Sequence, residues 1–76
     1  MDERIIKVIT ENLDVEPEEV KPEASIMKDL GADSLDMVEL AMAFEKEYDI
    51  KIETEQISAI KTVQDLVDFI AANKKG

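Results

Sequence analysis

The segment GADSLDMVELAMAFEKEY, residues 31–48, decides the fold of this chain. Asp33 is followed three residues later by Asp36, and polar or acidic residues at this spacing are typical of a helix N-terminus. We therefore predict a long helix that begins at Ser34, with Asp33 as its N-cap, and ends near Tyr48. The helix has one broad apolar arc, which we assign to the hydrophobic core: Met37, Leu40, Ala41, Phe44 and Tyr48.

A second apolar stripe lies roughly opposite that arc and contains Leu35, Val38 and Met42. Its charged neighbours are Glu39, Glu45 and Lys46. A helix in a small bundle needs only one buried stripe, so the second must be covered by a loop, line a cavity or face a partner. Helical periodicity alone favours burial. The alternative is a docking surface, in which Met42 would supply an adaptable contact.

The remaining pattern predicts three more helices. The first extends from about Glu3 to Leu13, with apolar residues on one face and charged residues on the other. A short helix, capped by Thr54, continues to Ile60. The last helix has a clear start, because Thr62 is a good N-cap and Asp65 follows three residues later.

A long loop, about residues 14–32, separates the first two helices and holds both prolines. We expect this loop to pack on the helices, because a long loop rich in apolar side chains is seldom a free linker. Those apolar residues are Val15, Val20, Ile26, Met27 and Leu30. The predicted fold is all-α: a small four-helix bundle with three longer helices, one short helix and a long loop between helices one and two. We expect residues 1–76 to form a single domain whose tail frays from about residue 73.

Charge and composition exclude several classes of function. The chain has 19 acidic and 9 basic residues, a net charge of −10, which argues against nucleic acid or anionic lipid as a partner and suits basic protein surfaces. Without cysteine or histidine there is no disulfide, and we predict no zinc site. The acidic residues do not match a calcium-binding loop, so we predict no dedicated metal site. With no signal peptide or membrane-spanning run, we expect a soluble, cytoplasmic monomer.

Ser34 is a candidate reactive residue because it lies beside two aspartates at the start of the long helix. Nucleophilic catalysis by serine needs a positioned base. The chain has no histidine for a catalytic triad and no G-x-S-x-G elbow. We therefore predict no catalytic residue and no enzymatic activity. The residues themselves leave two interpretations: Ser34 only starts the helix, or it displays a hydroxyl that another enzyme modifies.

The motif GADSLD, residues 31–36, followed by VEL, residues 38–40, resembles the 4′-phosphopantetheine attachment site of acyl carrier proteins. The resemblance covers nearly the whole chain. The loop ending in DLG, residues 29–31, and the segment IKTVQD, residues 60–65, are similar to those of the free-standing carriers of type II fatty-acid synthases.

The resemblance implies that Ser34 carries a 4′-phosphopantetheine arm, transferred from coenzyme A by a phosphopantetheinyl transferase that uses Mg²⁺. The arm's thiol would hold acyl groups as thioesters for the enzymes of fatty-acid biosynthesis, with the acyl chain between the helices. It also makes the second helix a recognition helix, which reverses the preference for burial of its second stripe. The implied motif flanks are Asp33, Leu35 and Asp36, and the implied docking face for basic partner enzymes is Val38, Glu39, Met42 and Glu45.

Three features depart from the family pattern. Lys46 stands where many relatives carry an acid, residues 52–54 lack a proline common in the family, and Glu55 is the only interior charge of the short helix. These departures concern partner affinity and leave the attachment motif intact. Two alternatives stay open: a carrier of the same fold for a polyketide or other specialised pathway, and an unmodified acidic helical adaptor.

Overall fold

The computed structural model describes residues 3–73 and is all-α, as predicted. Three longer helices and one short helix follow one another, and a long loop with one 3₁₀ turn joins the first helix to the second. The elements are α1, Glu3–Asn12; the 3₁₀ turn, Pro17–Glu19; α2, Ser34–Tyr48; α3, Thr54–Ala59; and α4, Val63–Asn73. The predicted four-helix architecture is therefore confirmed.

The start of α2 lies where the sequence predicts it, because two aspartates cap the helix. Asp33 Oδ1 accepts the backbone N–H of Asp36 at 2.9 Å. The helix ends at Tyr48, where Asp49 adopts a left-handed conformation with a φ of 54°. Aspartate is one of the few residues besides glycine that tolerates this conformation.

The two later helices differ in how well their caps were predicted. At α4 the prediction is confirmed: Thr62 Oγ1 accepts the backbone N–H of Asp65 at 3.1 Å. At α3 it is wrong, because Thr54 is the first helical residue and Glu53 is the N-cap. The backbone N–H of Glu53 donates to Gln56 Oε1 at 2.7 Å. The amide of Gln56 reaches back over the first turn, and this contact stabilises a helix start that the threonine does not cap.

The loop between α1 and α2 packs on the helices through most of its apolar residues. Val20, Ile26 and Leu30 are buried, and Val15 is half-buried. Met27 departs from the prediction, since it is 50% exposed. It follows the fully buried Ile26 in a turn, and the change of chain direction there places the Met27 side chain on the solvent side.

Backbone hydrogen bonds fix the same loop to the start of α4. The N–H of Ile26 donates to the carbonyl of Lys61 at 3.0 Å. Beside it, Ser25 and Thr62 form an isolated antiparallel bridge. The carbonyl of Ile26 accepts the N–H of Ala32 at 3.1 Å. The backbone N–H and carbonyl of Ile26 are therefore both hydrogen-bonded, and the loop is an ordered part of the fold.

The core arc of α2 is confirmed for four of its five residues. The buried ones are Met37, Leu40, Ala41 and Phe44. Tyr48 is half-buried and stacks on Phe44, with 6.1 Å between the ring centroids. The guanidinium of Arg4 lies 5.6 Å from the centroid of the Tyr48 ring, and its Nε lies 3.4 Å from Glu47 Oε2. One arginine of α1 thus contacts two residues at the end of α2.

The two ends of the chain are described only in part. The predicted fraying tail begins at Asn73, but this residue is helical and its side-chain amide donates to the carbonyl of Phe69 at 2.8 Å. Residues 74–76 of that tail lie outside the described residues. Within residues 3–73, no helix has the length and apolar character needed to cross a membrane.

Candidate functional site at the start of α2

Ser34 is the first residue of α2, and its side chain is exposed. Capping of the helix is already done by Asp33 and Asp36, whose carboxylates each accept a backbone N–H. No hydrogen bond joins the Ser34 hydroxyl to any group in residues 3–73. The hydroxyl is therefore not needed for the helix start and is open to chemistry from outside.

The other two serines of the chain differ from Ser34 in this respect. Ser25 Oγ accepts the backbone N–H of Lys28 at 3.1 Å. Ser58 Oγ donates to the carbonyl of Thr54 at 3.4 Å. Each of these hydroxyls has a local partner, which distinguishes them from the free hydroxyl of Ser34.

An open groove of about 270 Å³ lies beside Ser34, and we call it the Ser34 groove. Residues of α2, α3, the loop and the segment before α4 line it together. Its apolar lining is Met27, Met37, Val38, Ile57 and Ile60, and its polar lining is Ser34, Thr54, Ser58 and Lys61. Lys61 is the one charged side chain in this lining.

A small apolar cavity lies behind the Ser34 groove. The two share Met37, Ile57 and Ile60, so these three side chains separate the groove from the interior. The cavity has about 10 Å³ of space, which is about the room that one water molecule needs. An acyl chain could therefore enter the interior only if this wall moved.

The second stripe of α2 is exposed, so the preference for burial that periodicity alone suggested is wrong. Leu35 is 74% exposed, Val38 44% and Met42 56%. The loop covers the neighbouring core arc and leaves this stripe open to solvent. An exposed apolar stripe with acidic neighbours is the kind of surface that a protein partner covers.

The acidic residues of the predicted docking face are not equally available. Glu39 is exposed, but Glu45 is half-buried and its Oε2 accepts the backbone N–H of Ile52 at 2.8 Å. This contact crosses the turn after α2, so helical periodicity could not indicate it. Glu45 therefore has a structural contact in addition to the docking role that the sequence predicts.

Asp65 is the acidic residue next to the groove whose pKa is shifted, and its carboxylate contacts the backbone of Lys61. The pKa of its carboxyl is lowered from the ordinary 3.8, chiefly because the carboxylate accepts the backbone N–H groups of Thr62 and Lys61. Across residues 3–73, no three acidic side chains come together in an arrangement that could hold a metal ion.

The sequence motif in α2 indicates one side of the site, but the sequence analysis did not predict the residues on the opposite side. That side consists of Met27, Ile57, Ser58, Ile60 and Lys61. These residues reach Ser34 through the packing of α3 on α2 and through the pairing of the loop with the segment before α4. No local pattern in the sequence indicates that pairing, since it joins distant segments of the chain.

One comparison with known proteins bears on this geometry. A family model described as "Phosphopantetheine attachment site" matches residues 3–70, which is nearly the whole chain. The match includes α2, the loop and most of α4. The chain therefore belongs to the phosphopantetheine attachment family, a family of non-catalytic carriers that hold 4′-phosphopantetheine covalently after modification by a phosphopantetheinyl transferase.

Proposed function

We propose that Ser34 is the residue that carries 4′-phosphopantetheine, and that the chain delivers acyl groups to the enzymes of fatty-acid biosynthesis. The observation that carries the proposal is the exposed hydroxyl of Ser34, which has no hydrogen-bond partner in the described structure. Ser25 and Ser58 are both hydrogen-bonded to nearby backbone groups. Ser34 is therefore the serine best placed to accept a substituent.

The surroundings of Ser34 fit a long, flexible substituent. The hydroxyl faces solvent, and the Ser34 groove offers an open path of about 270 Å³ beside it. Capping by Asp33 and Asp36 is independent of the Ser34 side chain, so attachment leaves the helix start intact. Once attached, the arm supplies a terminal thiol on which acyl groups are held as thioesters.

In the attachment step the chain supplies only the acceptor oxygen. Ser34 Oγ forms a bond to the phosphorus that bears pantetheine in coenzyme A, and the phosphorus–oxygen bond to adenosine 3′,5′-bisphosphate breaks. The chain has no histidine, and the nearby Asp33 and Asp36 are occupied as caps. The base that takes the hydroxyl proton therefore comes from the transferase.

Delivery of acyl groups requires contact with several enzymes in turn. The exposed stripe of Leu35, Val38 and Met42, with Glu39 beside it, supports docking of α2 on enzymes with basic patches. The net charge of −10 favours fast encounter with such patches and weakens the encounter at high salt.

The attachment is tested by intact-mass measurement after incubation with coenzyme A and a broad-specificity phosphopantetheinyl transferase. We expect a single gain of about 340 Da, the mass of the arm. The gain should be absent in Ser34→Ala and unchanged in Ser25→Ala and Ser58→Ala. A gain that persists in Ser34→Ala would assign the arm to another residue.

The pathway is tested with the modified chain and purified enzymes. We expect malonyl transfer to the arm and elongation by a fatty-acid condensing enzyme to proceed at rates similar to those of that enzyme's own carrier. Loading only by enzymes of a polyketide pathway would contradict the fatty-acid assignment and leave attachment at Ser34 unaffected.

A further inference from the structure

One positively charged side chain, that of Lys61, lines the Ser34 groove on the side opposite α2. Lys61 is exposed and lines the groove together with Ser34. Within residues 3–73, no carboxylate lies within 4.0 Å of the Lys61 ammonium group. Its charge acts on the Asp65 carboxylate, whose pKa it helps to lower, but the two groups do not form a close ion pair. The ammonium group can therefore also contact an anion that enters the groove.

The backbone of Lys61 is held in a fixed position relative to Ser34. Its carbonyl accepts the N–H of Ile26 at 3.0 Å, and the carbonyl of Ile26 accepts the N–H of Ala32 at 3.1 Å. Ala32 precedes Ser34 by two residues. On its other side, the N–H of Lys61 donates to Asp65 Oδ2 at 3.1 Å. Two successive hydrogen bonds thus connect the lysine to the segment that leads into the serine.

Attachment of the arm brings a negative charge into an acidic environment. The phosphodiester formed at Ser34 lies beside the carboxylates of Asp33 and Asp36, in a chain whose net charge is already −10. Like charges at such short distances repel each other. A cation within reach of the phosphodiester offsets this repulsion, and lysine binds phosphate groups as a point charge.

We propose that the Lys61 ammonium group contacts the phosphodiester that links the arm to Ser34, and that this contact directs the arm along the Ser34 groove. The inference rests on the proposed attachment at Ser34. It assigns the Lys61 side chain as a positioning group for the modified form of the chain.

The test compares wild type, Lys61→Gln and Lys61→Arg, each modified in full and verified by intact mass. Failure of the mass gain in wild type would overturn the attachment itself, which distinguishes that failure from failure of the present inference. Lys7→Gln is the matched control, because Lys7 is exposed on α1 and lines a different surface depression. The backbone contacts of Lys61 do not depend on its side chain, so Lys61→Gln should fold normally.

The first readout is the ³¹P NMR chemical shift of the phosphodiester. We expect the shift to change in Lys61→Gln and to stay at the wild-type value in Lys7→Gln and Lys61→Arg. Raising NaCl from about 0.05 M to about 1 M should move the wild-type signal towards that of Lys61→Gln, because salt screens an exposed ion pair. Identical ³¹P shifts in wild type and Lys61→Gln at low salt would overturn the inference.

The second readout is the difference in Tm between the modified and unmodified forms. This difference should be lower in Lys61→Gln than in wild type by about 1–4 °C, the range expected for one exposed ion pair in a domain of this size. It should be unchanged in Lys7→Gln. An equal difference in wild type and Lys61→Gln would contradict the contact.

Discussion

Asp33 and Asp36 each accept the other's backbone N–H, at 2.9 Å for the N–H of Asp36 and 3.2 Å for that of Asp33. This reciprocal contact encloses Ser34 without using its side chain. A serine at a helix start commonly serves as the cap, and here the aspartates take that role. Because the aspartates cap the helix, the Ser34 hydroxyl stays available for modification.

Replacing Asp33 with alanine should destabilise the fold and leave Ser34 in place. Loss of an N-cap typically costs about 1 kcal/mol, which lowers Tm by about 4–8 °C in a domain of this size. Thermal unfolding followed by circular dichroism measures the effect. Ser34→Ala is the control and should change Tm by less than about 2 °C, since alanine is favourable within a helix. A large loss in Ser34→Ala would show that the serine contributes to the cap.

Gly31→Ala should destabilise the loop that leads into α2, because Gly31 has a φ of +74°. A Cβ at this position would meet no atom within 4 Å, so the expected loss of about 1 kcal/mol comes from the backbone conformation alone. Urea denaturation gives the free energy of unfolding. Gly31→Asn should recover part of the loss, since asparagine tolerates positive φ better than alanine does. Equal stability of Gly31→Ala and wild type would refute this account.

Stability should depend on pH through Asp65. The pKa of this carboxyl is lower in the folded chain than its ordinary 3.8, so its contribution is present above the unfolded value and is lost as the pH falls through the folded value. Asp65→Asn should therefore lower Tm at neutral pH and differ little from wild type once the pH is below the folded pKa of this carboxyl.

The control for that prediction is Asp68→Asn in the same helix. It makes the same change in charge, but the Asp68 carboxylate accepts the side-chain amide of Gln64 and no backbone N–H group among the described residues. Its effect on Tm at neutral pH should be smaller than that of Asp65→Asn. A Tm difference for Asp65→Asn that is constant from neutral pH to acid would contradict the assigned role.

Charge reversal at Glu39 should weaken docking without affecting the fold. Glu39 is exposed beside Val38 and Met42, so Glu39→Lys should slow association with a basic partner enzyme by about tenfold at low salt and flatten the salt dependence of the rate. Stopped-flow or surface plasmon resonance measures the association. Glu11→Lys makes the same change in charge on α1 and should have a smaller effect. Unfolding of Glu39→Lys would show that this face is structural.

Glu45 should show a structural role separate from docking. Its Oε2 accepts the N–H of Ile52 at 2.8 Å in a partly buried position. Glu45→Ala leaves that N–H without its partner and should cost about 1–2 kcal/mol, whereas Glu45→Gln keeps an acceptor and should cost less than half as much. Denaturant unfolding of the two variants decides this. Equal losses would assign the effect to charge and not to the hydrogen bond.

Local pattern in the sequence predicted the helices well, because caps and apolar periodicity act over a few residues. The Asp33 and Thr62 caps and the core arc around Phe44 are examples. The prediction failed where a longer or less common contact decides the structure. Gln56 reaches back to Glu53 and moves the cap of α3, and the turn after Ile26 turns Met27 outward.

The candidate site was predictable on one side only. Ser34 and the exposed stripe of α2 follow from the motif and its resemblance, although periodicity alone could not distinguish an exposed stripe from a buried one. Ile57 reaches the site because α3 packs on α2, and Lys61 because the loop is hydrogen-bonded to the segment before α4. Such contacts depend on which distant segments meet, and a single sequence carries no local signal for them.

The antiparallel bridge between Ser25 and Thr62 joins positions almost half of the chain apart. Closing so long a segment costs chain entropy before any contact offsets that cost, so we expect contacts of this kind to form late in folding. The helix that bears Ser34 is held by local contacts and can form earlier. A chain in which the loop has not yet paired with the segment before α4 displays the serine but not its complete groove. We therefore expect the complete site to form only after this pairing.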